Sequence, residues 1–102
     1  GRYTMNRHEL KTFLAQRTSL EQRMLGVIIA CARNLDMVTI SYVDSSGTIT
    51  EREVEPYEIK DGKLWAYCTV RQSIRQFDIG KIVNAAPSLT KYRPRWPVKI
   101  TA

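Results

Sequence analysis

The chain has 102 residues, of which 43% are hydrophobic and 25% charged. These values are typical of one compact domain and exclude wholesale disorder. The longest apolar run, residues 24–32, is far shorter than the roughly 20 residues that span a bilayer, so no membrane partner is expected. Two cysteines and one histidine are too few for a zinc site of about four ligands, and no cofactor is expected.

The net charge of +6 is unevenly distributed along the chain. Residues 1–35 carry six basic and two acidic side chains, residues 36–70 three and seven, and residues 71–102 seven and one. Basic ends around an acidic middle favour an anionic partner such as nucleic acid. A solvated surface of mixed charge is the alternative interpretation.

The two cysteines, Cys31 and Cys68, lie in apolar surroundings and outside any CxxC motif. Buried reduced thiols are typical of a cytoplasmic protein, and we predict that location. Met5-Asn6 resembles a natural start, so residues 1–4 are interpreted as a cloning remnant.

A first helix is predicted over residues 7–16. Asn6 and Glu9 have the spacing of a capping box, and apolar residues at positions 10, 13 and 14 share one helical face. The break at residues 17 and 18 separates this helix from the next and predicts a helical hairpin.

A second helix is predicted over residues 20–34, opened by a capping signal from Ser19 and Gln22. Its apolar face is wider than one sheet contact requires, so it must be covered on two sides. One interpretation is a helix enclosed within a single domain. The other is a subunit interface formed by Leu25, Ile28, Ile29 and Ala32.

From residue 37 the hydrophobic pattern takes the period of strands. Five strands are predicted, with turns at Asp44-Ser45-Ser46-Gly47 and Asp61-Gly62. A spacing of about ten residues with short turns predicts an antiparallel meander. The strands cover residues 38–43, 48–59, 64–70, 73–79 and 82–86.

The second strand contains an irregularity. Ile49 and Val54 have opposite parity, so we predict a bulge or bend between them if both face the core. Pro56 removes a ladder donor and predicts an edge or corner. A long strand that bends in this way allows a small sheet to curl into a barrel. Glutamates at positions 51, 53, 55 and 58 are interpreted as a solvated acidic strand.

Arginine and aromatic side chains alternate on the third and fourth strands. Arg75 shares parity with Phe77 and Ile79, which predicts a position at the barrel mouth, where a guanidinium reaches a phosphate. A salt bridge to Glu53 or Glu55 is the alternative. Trp65 and Tyr67 either stack nucleobases or pack under the second helix.

Residues 87–102 contain three prolines and no hydrophobic period, which predicts an extended tail that pairs at most through residues 98–100. Basic side chains from the strands and this tail are predicted to line one groove with salt-dependent affinity for phosphates. A solvated tail is the alternative. The basic set is Arg52, Arg71, Lys81, Lys91, Arg93 and Arg95.

No catalytic constellation is recognisable. A lone His8 near the N-terminus cannot be assembled with specificity into a nucleophilic triad, and no glycine-rich phosphate loop is present. We therefore predict a binding protein and no enzyme.

Three segments together resemble the WYL domain family: residues 52–57 (REVEPY), 61–68 (DGKLWAYC) and 74–82 (IRQFDIGKI). The resemblance implies a five-stranded Sm-like β-barrel that senses nucleic acid or another anionic ligand in bacterial and phage transcription regulators. It adds Tyr57, of the Pro-Tyr pair, to the implied site, and it supports the ligand role of Arg75.

The sequence thus predicts an α+β, mainly β protein with three parts. Residues 1–36 hold the helical hairpin, residues 37–86 the WYL-like barrel and residues 87–102 the tail. The leading functional hypothesis is binding of single-stranded nucleic acid or a small anionic ligand in transcription regulation. The alternative is a homo-oligomerisation or protein-interaction module that uses the second helix.

Overall fold

The computed structural model describes residues 6–15 and 18–100. The elements are α1 (Arg7–Ala15), α2 (Ser19–Asn34), β1 (Asp36–Val43), β2 (Ile49–Lys60), β3 (Lys63–Cys68), β4 (Ser73–Asp78), a 3-10 turn (Ile79–Lys81) and β5 (Ile82–Lys91). The fold is α+β and mainly β, as predicted. Residues 1–4 and 16, and the side chains at positions 10, 13 and 14 on which the helical hairpin depends, lie outside the described part.

Both helices begin with side-chain caps. At α1 the backbone N–H of Glu9 donates to Asn6 Oδ1 at 2.8 Å, which confirms the predicted capping box. At α2 the cap is Thr18, whose Oγ1 accepts from the N–H of Glu21 at 3.2 Å. The predicted pair of Ser19 and Gln22 is therefore wrong by one residue.

The sheet is antiparallel in the order β4-β3-β2-β1-β5. Its hydrogen-bond ladder is open, with β4 and β5 as the two edges, so the predicted closure into a barrel is not observed. The sheet is nevertheless strongly curled. Tyr42 of β1 and Phe77 of β4 contact edge to face with 5.2 Å between ring centroids, whereas flat strands three positions apart would be about 14 Å apart.

The inner face of the sheet carries the main core, which includes Val38, Ile40, Val54, Leu64 and Cys68. Helix α2 packs on this face. Leu25, Ile28, Ile29 and Ala32 are buried in the same cluster. The predicted subunit interface through these four side chains is therefore wrong, because the chain's own sheet covers them, as in the single-domain interpretation.

The irregularity of β2 lies elsewhere than predicted. The β1–β2 register is continuous from Val38↔Val54 to Val43↔Ile49, and Ile49 is exposed, so its parity needs no bulge. The register shift falls between Pro56 and Glu58. Pro56 is on an interior strand and not at an edge, but it lies beyond the last β1–β2 pair, so its missing donor leaves that ladder intact.

Strand β5 continues through Lys91, past the boundary predicted at residue 86. After it, residues 92–100 form a C-terminal segment that packs on the sheet. Tyr92 and Ile100 in this segment are buried. Thus the solvated tail is not observed.

Candidate functional site

The bulge in β2 determines which side chains meet on the outer face of the sheet, the face turned away from α2. Strand residues normally alternate between faces. The extra residue lets Tyr57 and its neighbour Glu58 both lie on the outer side, next to Trp65 and Tyr67 of β3. Three aromatic rings and a carboxylate are thereby gathered on two adjacent strands.

The C-terminal segment is held against this outer face by hydrogen bonds to β2. The Tyr92 hydroxyl donates to the Pro56 carbonyl at 2.8 Å, and the Lys99 N–H donates to the Tyr57 carbonyl at 2.8 Å. Trp96 contacts the Tyr57 ring edge to face with 5.3 Å between centroids. The pairing predicted through residues 98–100 is reduced to this bond of Lys99, because these residues form no strand, and Tyr92 attaches the segment outside the predicted range.

An ion pair between a partly exposed arginine of the segment and a buried glutamate of β2 also holds the segment. Arg95 donates through Nε to Glu55 Oε1 at 3.1 Å and through NH2 to Oε2 at 3.3 Å. Its guanidinium also lies 4.0 Å from the centroid of the Tyr67 ring. Glu55 and Glu58 are both buried, so the predicted solvated acidic strand is wrong at these two positions.

This environment raises the pKa of two tyrosine hydroxyls. Burial raises the pKa of Tyr57 to about 12, and the hydrogen bond that its hydroxyl donates to Glu55 Oε1 at 2.6 Å acts in the same direction. Burial also raises the pKa of Tyr92. Both hydroxyls therefore remain protonated donors at neutral pH and are part of the scaffold.

A pocket of about 270 Å³ opens beside this cluster, between the C-terminal segment and strands β2, β3 and β4. Its lining residues are Tyr57, Glu58, Trp65, Ile74, Trp96, Pro97 and Lys99. The pocket therefore combines aromatic walls with one acidic and one basic side chain.

A second set of predicted residues lies on the other side of the sheet and at its edge. Arg52 is opposite Ile40 on the inner face and half-buried. Arg75 is opposite Ala66 on edge strand β4, in phase with buried Phe77, yet exposed. Arg71 in the β3–β4 turn and Lys81 in the 3-10 turn are exposed as well. Arg75 is thus exposed at the β4 edge of an open sheet, and the barrel mouth at which it was predicted is not observed.

The predicted basic groove is divided by the sheet. Lys91 Nζ forms a salt bridge with Asp36 Oδ1 at 3.0 Å and donates a hydrogen bond to the Asn34 carbonyl at 2.8 Å. It therefore stabilises the junction of α2 and β1. Arg95 is bound to Glu55 on the outer face, which also removes Glu55 as the alternative partner of Arg75. Arg93 is exposed.

Tyr57, which the family resemblance added to the site, is buried and is therefore not an exposed stacking ring.

Trp65 and Tyr67 do not pack under α2, because they lie on the opposite face of the sheet. The two charged residues of the pocket, Glu58 and Lys99, were missed as site residues. The bulge that brings Glu58 beside Trp65 depends on pairing with β3 and has no local sequence signal. The two prolines that flank Trp96 at positions 94 and 97 were the available signal for a fixed, non-repetitive segment.

Within residues 6–15 and 18–100, no group of three or more His, Cys, Asp or Glu side chains is placed to hold a metal ion. Cys31 and Cys68 are free and buried. In the same described ranges, no helix has both the length and the apolar character needed to cross a membrane.

Comparison with known families defines the class of protein. The WYL domain model matches residues 23–87, which is more than half of the chain. The chain therefore belongs to the WYL domain family, as its sequence resemblance indicated.

A solved structure shares the fold: the proteasome accessory factor B/C (PafBC) of Arthrobacter aurescens, with a TM-score of 0.65 and 17% identity. The likeness covers 83% of this chain but 15% of that one, so the chain spans a small part of its structural neighbour. No curated protein matches the chain.

Proposed function

We propose that this WYL domain is a regulatory module that binds single-stranded nucleic acid or a small anionic ligand. We further propose that it acts in cytoplasmic transcription regulation in bacteria or phage and has no enzymatic activity of its own. The observation that supports the proposal is that three basic side chains on edge strand β4 and in the turns at its two ends are exposed: Arg71, Arg75 and Lys81. None of them forms a salt bridge with any residue in the described ranges, in contrast to Lys91 and Arg95.

Basic side chains without an acidic partner suit an external phosphate. A bound phosphate can receive a bidentate hydrogen-bond pair from a guanidinium, with geometry that lysine lacks. The position of Arg75 supports this role, since the arginine is exposed on edge strand β4 while Phe77, on the same face of that strand, is buried. Neutralising several phosphates releases counterions, so the affinity should fall steeply with salt.

The test is a titration of labelled single-stranded DNA at several salt concentrations, with wild type beside an Arg75→Ala, Lys81→Ala variant. The expected result is weaker binding by the variant and a log–log salt slope that is shallower by about 1.4, at about 0.7 for each lost phosphate contact. The matched control is Arg23→Ala, Arg33→Ala, which removes the same charge from the exposed side of α2.

Absence of binding at low salt, or equal losses in both double variants, would contradict the nucleic-acid proposal. An oligomerisation module is the weaker candidate, because the apolar side chains of α2 on which it depended are buried.

A further inference from the structure

The outer-face pocket has an unusual concentration of aromatic side chains. The chain contains only two tryptophans, Trp65 and Trp96, and both line this pocket, together with the Tyr57 ring. The first lies on β3 and the second on the C-terminal segment. Aromatic faces that come from separate elements suit a planar ring, because every nucleobase presents a π-face for stacking.

The size and opening of the pocket suit one small ring system. At about 270 Å³ it lies just below the roughly 300–1,000 Å³ of pockets for drug-sized ligands. Trp96 is 46% exposed and Ile74 is 37% exposed, so the walls are reachable from solvent. Both side chains would lose exposed apolar surface to a ligand.

The charges around the pocket narrow the chemistry of that ligand. Glu58 is 4% exposed and lines the pocket. Lys60 Nζ lies 5.2 Å from the centroid of the Trp65 ring, and Lys99 is an exposed part of the lining. An aromatic cage alone would accept a bare organic cation. Lys99 in the lining and Lys60 Nζ already beside the Trp65 ring disfavour such a ligand here.

We propose that this pocket binds a single nucleobase, guanine best, with the ring against Trp65 and Trp96 and the attached phosphate at Lys99. The inference rests on the proposed function, since it gives that function a base-recognition site separate from the proposed phosphate contact of Arg75 at the β4 edge. The same pocket accepts the base of a free mononucleotide and of a single strand.

The preference among bases follows from the carboxylate of Glu58. An ionised carboxylate is acceptor-only and has about four lone-pair sites, so it can accept from a base while keeping its existing contacts. Guanine presents two adjacent donors, N1–H and the N2 amino group, which match a carboxylate side by side. Uracil presents one N–H between two carbonyl oxygens, which would face the carboxylate unfavourably.

The test uses tryptophan emission, which reports on this pocket directly because both tryptophans line it. Guanosine monophosphate, uridine monophosphate and inorganic phosphate are titrated separately against the chain. The expected result is a saturable change with the guanine nucleotide, about tenfold weaker binding of the uracil nucleotide, and no change with phosphate.

Three variants test the geometry. Trp96→Leu should weaken guanine binding about tenfold, in the range of one lost stacking contact, and Glu58→Gln should remove the preference for guanine over uracil. If Glu58→Gln fails to fold, Lys99→Ala at an exposed position should still weaken both nucleotides. The control is Arg33→Ala on the exposed side of α2, which should bind guanine nucleotide like wild type.

An unchanged emission at millimolar guanine nucleotide, or equal affinity for the two nucleotides, would overturn the proposal. The two proposals fail separately. If Arg75→Ala, Lys81→Ala loses single-stranded DNA while Trp96→Leu keeps it, the pocket proposal fails and the proposed function stands. If the mononucleotide binds while single strands do not, the proposed nucleic-acid function fails and the pocket stands.

Discussion

Arg95 and Glu55 join the C-terminal segment to β2 by two hydrogen bonds, at 3.1 Å and 3.3 Å. The carboxylate side chain is 5% exposed and the guanidinium side chain 48%. The pair is thus a buried acid that a partly solvated base reaches from outside. The Tyr57 hydroxyl donates to the same carboxylate, and Arg95 N–H donates back to that hydroxyl at 3.0 Å.

Loss of Arg95 should destabilise the fold, because it leaves the Glu55 carboxylate buried with an incomplete set of donors. We expect Arg95→Ala to lower the urea midpoint by at least twice the change caused by Arg93→Ala. The latter removes the same charge two residues earlier, where the side chain is exposed. Urea unfolding followed by circular dichroism makes the measurement. A much smaller effect of Arg95→Ala in a Glu55→Gln background would assign the loss to this pair.

The raised pKa of Tyr57, about 12 against an ordinary 10.0, predicts alkaline unfolding. Below pH 10 the hydroxyl is protonated in both folded and unfolded chains, so its contribution to stability is complete. As the pH rises from 10 towards 12, the unfolded chain loses the proton first and is favoured. The contribution of Tyr57 to the free energy of unfolding should therefore be constant from neutral pH to about pH 9 and fall above pH 10.

Tyr57→Phe separates this effect from general alkaline denaturation. The variant lacks the titrating hydroxyl, so its stability should decline less steeply above pH 10, although it begins lower because Glu55 and Arg95 each lose a partner. Parallel slopes in wild type and variant would show that Tyr57 does not govern the transition. Tyr92 and Cys31, whose pKa values burial also raises, should contribute to the decline that remains.

Two glycine substitutions should have opposite signs. Asp61 and Gly62 have φ of 54° and 73°, which is the pattern of a type I′ turn between β2 and β3. Gly62→Ala should therefore cost about 1 kcal/mol. Gly26 is an exposed position in α2 where an added Cβ meets no atom within 4 Å. Gly26→Ala should stabilise by about 0.5–1 kcal/mol, as thermal or urea unfolding would measure.

The internal position of the α2 apolar face can be tested with a buried and an exposed side chain. Ile28 is fully buried and Leu20 is exposed. Ile28→Ala should cost about 2–5 kcal/mol through the cavity it leaves, whereas Leu20→Ala should change stability by less than about 0.5 kcal/mol. Light scattering should give the same mass for both folded variants. A lower mass for Ile28→Ala would indicate that this face joins subunits.

Local signals in the sequence predicted most of the fold. The capping spacing of Asn6 and Glu9 marked the start of α1, and Asp61-Gly62 marked a hairpin, because caps and primed turns depend on side chains within a few residues. The bulge predicted between Ile49 and Val54, which have opposite parity, required both side chains to face the core, and this condition is not met. Ile49 is exposed. Its exposure depends on how β2 pairs with β1, which local sequence does not reveal.

The candidate site was less predictable because it is assembled from distant segments. The parity that Arg75 shares with Phe77 is a property of one strand and could be predicted, but the barrel mouth inferred from it is not observed in the open sheet. By contrast, Arg95 is 40 residues away in the chain from its partner Glu55 and 38 residues away from its partner Tyr57. No period connects them, so residues of the C-terminal segment were assigned to a basic groove that the sheet in fact divides.

The position of Ile100 has a consequence for biosynthesis. This side chain is buried in the same cluster as Ile28 and Val38, and the segment that carries it also covers the outer aromatic face. While residues 92–100 are still inside the ribosome, neither face of the emerging sheet is complete. The domain must therefore reach its final packing after these residues leave the exit tunnel, and until then its exposed aromatic rings are accessible to chaperones.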